Sequence, residues 1–124
     1  MKYYNEALKY EGAPYKSGGM SKDGIDCSGL VNVATGQKKR VWHTALGKPC
    51  GNWSEIFPPK TSHDDFLKSC KQGDLFLWNG HTAFYAGDVR LFHARRTGTK
   101  CGYTNDLKLY WLKQQSYPRV FREV

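Results

Sequence analysis

Nowhere does the chain hold an apolar run approaching the roughly eighteen residues that a membrane-crossing helix requires, so no membrane span is expected. Its opening residues, Met1-Lys2-Tyr3-Tyr4-Asn5-Glu6, lack the apolar stretch and small-residue cleavage pattern of a secretory leader. Three routes stay open on that reading: the chain works where it is made, leaves by a path that uses no such leader, or is a mature fragment. The four cysteines contain no CxxC pair, which argues against a structural zinc site. Missing too are an RNA-binding signature, zinc-finger spacing and heptads, so nothing beyond charge favours nucleic acid as a partner. There is no low-complexity tract, repeat or linker, and 124 residues read as one domain spanning 1–124, large enough to bury a core without staples.

Acidic residues are scarce. Eleven of them against nineteen Lys and Arg leave a net charge of +8, a statement about partners rather than fold. The last third carries Arg90, Arg95, Arg96, Lys100, Lys108, Lys113, Arg119 and Arg122 against Asp88, Asp106 and Glu123. The natural partner is an anionic polymer, either nucleic acid or a bacterial wall polymer; the plain alternative is a solvated surface. Aromatic residues, at 15%, suit a β-rich core or a groove that grips a flat or sugar-bearing ligand.

Read in order, Tyr3 to Tyr10 has the spacing of a short amphipathic helix, stopped by Gly12-Ala13-Pro14. A second helix is expected from Cys27 to about Ala34, ended by Thr35-Gly36, and a third from His63 to Lys71, capped by Ser62. Residues 37–60 are irregular, a long ordered loop or a short helix with a turn, of the kind that forms one wall of a groove. After Gly73 the period changes. Segments 74–78, 81–86 and 89–94 read as strands, with Asn79-Gly80 and Gly87-Asp88 as turns, and 117–122 as a final strand; 107–112 is ambiguous. The expected class is α+β, with helices laid on one face of an antiparallel sheet.

The chemistry centres on Asp26-Cys27-Ser28-Gly29-Leu30-Val31, entered from the loop Gly12-Ala13-Pro14-Tyr15-Lys16-Ser17-Gly18-Gly19. Asp26 is the N-cap candidate, which places Cys27 in the first turn of a helix. Unpaired N–H groups and the helix dipole favour an anion there, so the location is expected to lower the thiol pKa. A nucleophilic cysteine needs a base, and the base needs a group to hold its ring. Of the four histidines, His81 opens one strand of the meander and His93 closes the next. Given a bulge or small register offset, they become neighbours facing the cysteine helix. His43, in the irregular stretch, and His63, at a helix start, are set aside as ordinary polar residues. With Cys27 reserved, Cys50, Cys70 and Cys101 form one disulfide and a free thiol, or three buried thiols, the second preferred.

Taken together, Gly12-Ala13-Pro14-Tyr15, Gly18-Gly19, Asp26-Cys27-Ser28-Gly29-Leu30-Val31, Gly73-Asp74-Leu75-Phe76, His81 and His93-Ala94 resemble the NlpC-like cell-wall peptidase family from about Glu11 to Phe121, more weakly over 37–71. The resemblance implies a papain-like α+β domain, its N-terminal helices packed on an antiparallel sheet. It further implies a peptidase of peptidoglycan stem peptides, most often cutting between γ-linked D-glutamate and diaminopimelate or lysine. Carried over, Cys27 is the nucleophile, His81 the general base and His93 the residue that orients it. Tyr15, Asp26 and Ser28 match positions on the substrate-binding side. No metal or organic cofactor is called for.

The reaction so implied passes through a thioester, with N–H groups at the helix start as oxyanion donors. The site of action is the bacterial wall or periplasm, with the domain a monomer that is secreted or injected as a toxin or lysin. An injected toxin would require an immunity protein to block the Cys27 groove. The alternatives are an N-acetylmuramoyl-L-alanine amidase or other acyl-transfer enzyme of the same fold, or a non-catalytic basic binding module.

Overall fold

The computed structural model describes residues 1–41, 48–105, 107 and 117–124. Among them are three helices, α1 (Lys2–Leu8), α2 (Cys27–Ala34) and α3 (His63–Lys68). The strands are β1 (Met20–Ser21), β2 (Gly24–Ile25), β3 (Trp53–Ile56), β4 (Leu75–Trp78), β5 (His81–Gly87), β6 (Arg90–His93), β7 (Gly102–Thr104) and β8 (Arg119–Glu123). Strands β1 and β2 form a small hairpin, and the other six make one antiparallel sheet in the order β3-β8-β4-β5-β6-β7.

Local signals set the helix ends. α1 stops short of Tyr10 because Lys9, Tyr10 and Glu11 donate to carbonyls three residues back, tightening the last turn. Its start has no side-chain cap from Met1; the Glu123 carboxylate from β8 accepts from Lys2 N and Tyr3 N at 3.1 and 2.7 Å instead. α3 begins where Ser62 Oγ accepts from Asp65 N at 3.1 Å, and ends early through the same three-residue closures at Ser69 and Cys70. Lys71 N then turns to the Asp74 carboxylate at 2.8 Å.

Both faces of the sheet are buried. Leu75, Phe84, Phe92 and Phe121 meet Tyr4, Ala7, Leu30, Val31 and Ala34 of α1 and α2 on one side. The alternate residues Phe76, Tyr85, Leu91 and Val120 pack with Phe66 of α3 and Leu107 on the other. This corrects the expectation of helices on one face. The central strands are apolar at consecutive positions (Leu75-Phe76, Ala83-Phe84-Tyr85), so each face demands a cover.

The stretch 37–60 also departs from expectation, since Trp53–Ile56 is a strand paired to β8, tied by a two-pronged Arg119–Glu55 contact at 2.8 and 3.0 Å. Residues 42–47, with His43, and 108–112 lie outside the described residues. Asp74 has a scaffolding role: buried, it receives Arg122 at 2.9 and 2.7 Å and locks β4 to β8. Cys50, Cys70 and Cys101 are buried free thiols, as preferred from the sequence. Burial pushes the Cys70 and Cys101 thiols up to about 12.

Candidate active site

The loop before α2 lies flat on the helix because two glycines permit it. A Cβ on Gly29 would overlap the Gly19 carbonyl, and one on Gly19 would overlap the Gly24 carbonyl. Asp26 caps the helix as expected. Its Oδ1 accepts from Gly29 N at 2.8 Å and from the Ser28 hydroxyl at 3.4 Å, and its Oδ2 accepts from Gly18 N at 2.7 Å. A second bond to Oδ2 comes from Arg40 Nη2 at 2.9 Å, and the same nitrogen sits on Ser28 Oγ. Burial alone would raise the Asp26 carboxyl, but the N–H groups of Gly18 and Gly29 and the Arg40 guanidinium together hold it below the usual carboxylate range.

Arg40 is delivered to this spot by Asn32, a fully buried residue of α2. Its Nδ2 donates to Ser28 O at 2.8 Å, and its Oδ1 accepts from Val41 N at 2.6 Å, pinning the chain next to Arg40. The sequence presents Arg40 only as the end of a basic run, so its place beside Asp26 was not foreseen.

Cys27 is half-buried at the first position of α2. The backbone N–H of Thr82, the residue after His81, favours the anionic form of its sulfur, as β5 packs beside α2. The expected low thiol pKa is overturned. Burial pushes the Cys27 thiol up, and the Asp26 charge adds to that, outweighing the N–H groups of Thr82, Ser28 and Cys27 itself. A helix start does not by itself furnish a thiolate here; a neighbouring cation must. Tyr15, half-buried, flanks the pair: burial raises its phenol first, with the charges of Cys27 and Asp26 adding to the effect. Its backbone is held by the Thr99 carbonyl at 3.0 Å and by a bridge to Ile25.

The two histidines meet as the bulge argument required. The β5–β6 register slips between Tyr85 and Gly87, and His81 Nε2 lies 2.8 Å from His93 Nδ1, with ring centroids 5.0 Å apart. His93 is 1% exposed, and its Nε2 lies 2.7 Å from Thr104 Oγ1 on β7. Trp78, directly across from His81 in the sheet, stacks on the His81 ring at 6.3 Å. Neither Thr104 nor Trp78 was singled out from the sequence. The register pairing of Trp78 with His81 across Asn79-Gly80 was the one available signal. His63 packs edge-on against Tyr117 at 5.3 Å. Among the described residues, no group of three or more His, Cys, Asp or Glu is placed to hold a metal ion.

The structure thus sets a cysteine at a helix start and two imidazoles touching ring to ring on a neighbouring ribbon, the residue types from which a nucleophile, a base and an orienting group can be built. The chain is 34% identical over 94 residues to dipeptidyl-peptidase 6 of Lysinibacillus sphaericus, covering 76% of this chain and 32% of that protein. It is 32% identical over 123 residues to the bifunctional muramidase/DL-endopeptidase CwlT of Bacillus subtilis, covering 86% of this chain and 32% of that one. The chain thus spans about a third of these relatives' length. The fold matches the crystal structure of the NlpC/p60 domain of the peptidoglycan hydrolase SagA, with a TM-score of 0.61 at 24% identity, covering 99% of this chain and 97% of that one. Residues 12–120 match the NlpC/P60 family, and the chain belongs to it.

Proposed function

We propose that this domain is a cysteine peptidase acting at the bacterial cell wall on peptidoglycan stem peptides, as a D,L-endopeptidase at the bond between γ-D-glutamate and diaminopimelate. Membership of the NlpC/P60 family and the likeness to a protein named a DL-endopeptidase support the substrate class. The single observation that carries the mechanism is the 2.8 Å contact between His81 Nε2 and His93 Nδ1, on the strand that packs beside the helix carrying Cys27.

The steps follow from the residues. His81 Nε2 is engaged by His93, so the nitrogen that takes the thiol proton is Nδ1. The resulting thiolate attacks the scissile carbonyl carbon, and the N–H groups at the α2 start, with that of Thr82, meet the developing oxyanion. The His81 imidazolium returns its proton to the leaving amine. Water, deprotonated by His81, then cleaves the thioester and releases the acid. Tyr15, Asp26 and Ser28 line the acyl side in this reading, with Asp26 holding the loop as well as the helix. The net charge of +8 draws the domain to an anionic wall.

Digestion of purified muropeptides, with mass spectrometry of the products, tests this directly. New termini at D-glutamate and diaminopimelate are expected, and Cys27→Ala lowers the rate by at least about a thousandfold. Termini at muramic acid and L-alanine would make the domain an amidase. Wild-type turnover by Cys27→Ala would remove the site altogether.

A further inference from the structure

Thr104 Oγ1 stands 2.7 Å from His93 Nε2, on the strand next to the one carrying His93, and the peptidase reading has no use for it. We infer that Thr104 is a positioning residue: its hydroxyl oxygen accepts the His93 Nε2–H and so sustains the ring forms that let His81 take a proton from Cys27. This rests on the reading of His81 as base.

The argument is a count of protons along His81–His93–Thr104. Two neutral arrangements satisfy both contacts. In one, His81 Nε2–H donates to His93 Nδ1, and His93 Nε2–H donates to Thr104 Oγ1. In the other, the threonine hydroxyl donates to His93 Nε2, and His93 Nδ1–H donates to His81 Nε2. The second obliges neutral His81 to carry its proton on Nδ1, leaving no lone pair for the thiol. Once the proton moves from Cys27 Sγ to His81 Nδ1, the choice disappears. Both His81 nitrogens then bear hydrogens, His93 Nδ1 has to accept, and its single hydrogen has to sit on Nε2. That N–H is on a ring 1% exposed, and Thr104 Oγ1 stands 2.7 Å from the nitrogen that bears it. Thr104 as acceptor therefore belongs to the thiolate–imidazolium state. A hydroxyl, unlike a carboxylate, adds no charge that would draw the proton past His81 to His93.

Removing that oxygen takes from this N–H the acceptor it has at 2.7 Å in the ion-paired state, whereas in the unproductive tautomer only a lone pair loses its donor, the milder fault. The imidazolium is destabilised, and thiolate formation moves to higher pH. The test is the pH dependence of iodoacetamide alkylation at Cys27 in the full chain, followed on the Cys27 peptide by mass spectrometry, together with kcat and KM on muropeptide. For Thr104→Val, alkylation at pH 7 is expected to fall about tenfold, its half-maximal pH to rise and kcat to fall in step. KM stays within about twofold, and Thr104→Ser restores the wild-type profile.

A Thr104→Val profile lying on the wild-type curve while that of His81→Ala is displaced would overturn the inference and leave His81 as base. A His81→Ala profile on the wild-type curve would instead sink the base assignment itself. Should Thr104→Val fail to fold, long-range ¹H–¹⁵N spectra of the wild-type histidines decide. Protonation of His93 at Nε2 and of His81 at Nε2 is expected, and the reverse pattern overturns the role of Thr104.

Discussion

His81 and His93 touch ring to ring without being opposite each other in the sheet. Phe84 faces Phe92, so continuing that pairing sets His93 across from Ala83, two residues from His81 on the same face. The contact is diagonal, and it repeats on the next strand. His93 faces Gly102, yet its Nε2 reaches Thr104 Oγ1, again two residues along. A twisted antiparallel sheet brings such diagonal neighbours within reach of a long side chain. The three polar groups therefore run obliquely across β5, β6 and β7, and each ring is held by the strand beyond it.

The two rings should answer differently to truncation. On the proposed mechanism His81→Ala removes the group that moves the proton, with kcat expected to fall by about 10³–10⁴, while His93→Ala removes the group that orients it and costs about ten to a hundredfold. Steady-state kinetics on muropeptide at several pH values checks the order. Equal and negligible losses would dissolve the pair as a functional unit.

Asp26 makes the stability of the cleft sensitive to acid. Its folded carboxyl titrates below the unfolded value of about 3.9, so its contribution is present above that pH and disappears as pH falls through the folded value. Asp26→Asn, which can still cap the helix, should flatten the fall in stability below about pH 4. Urea midpoints measured from pH 2 to pH 7 on both proteins give the comparison, and parallel acid limbs would contradict the assignment.

The β5–β6 hairpin turns through Asp88 and Val89 at φ 53° and 60°, and a β-branched residue is poorly suited to that region. A left-handed residue other than glycine costs about 1–2 kcal/mol, offset in part by the greater chain freedom of unfolded glycine. Val89→Gly is therefore expected to stabilise the protein by about 0.5–1 kcal/mol and raise Tm by about 2–5 °C. Calorimetry decides this, and activity should be unchanged. A lower Tm would mean that Val89 makes a contact worth more than its backbone conformation costs.

Much of the scaffold was legible because its signals are local. The span of α2, from the Asp26 cap to about Ala34, was legible, since a capping carboxylate and a Thr-Gly stop act within a few positions. The meander was equally plain from its short apolar runs and the turns between them. By contrast, β3 and β7 escaped notice. Trp53–Ile56 and Gly102–Thr104 are short, and each becomes a strand by pairing with a partner distant or displaced in sequence. Arg40 was not singled out because its partner is Asp26, fourteen positions away, and the chain beside it is pinned by Asn32.

The thiol divides along the same line. Its place at a helix start is written in Asp26-Cys27, and so is the direction in which the helix pushes its pKa. The balance is not, because desolvation depends on what the fold packs over the sulfur, and here burial exceeds the pull of the surrounding N–H groups. The sequence by itself determined which groups are present, the capped helix that carries the sulfur and the ribbon that carries the imidazoles, all products of short-range backbone chemistry. Tertiary structure alone decided that Thr104 stands behind His93, that Arg40 closes on Asp26 and that the sulfur lies half-buried. Each of these depends on strand register and packing between segments far apart in the chain, where no local preference acts.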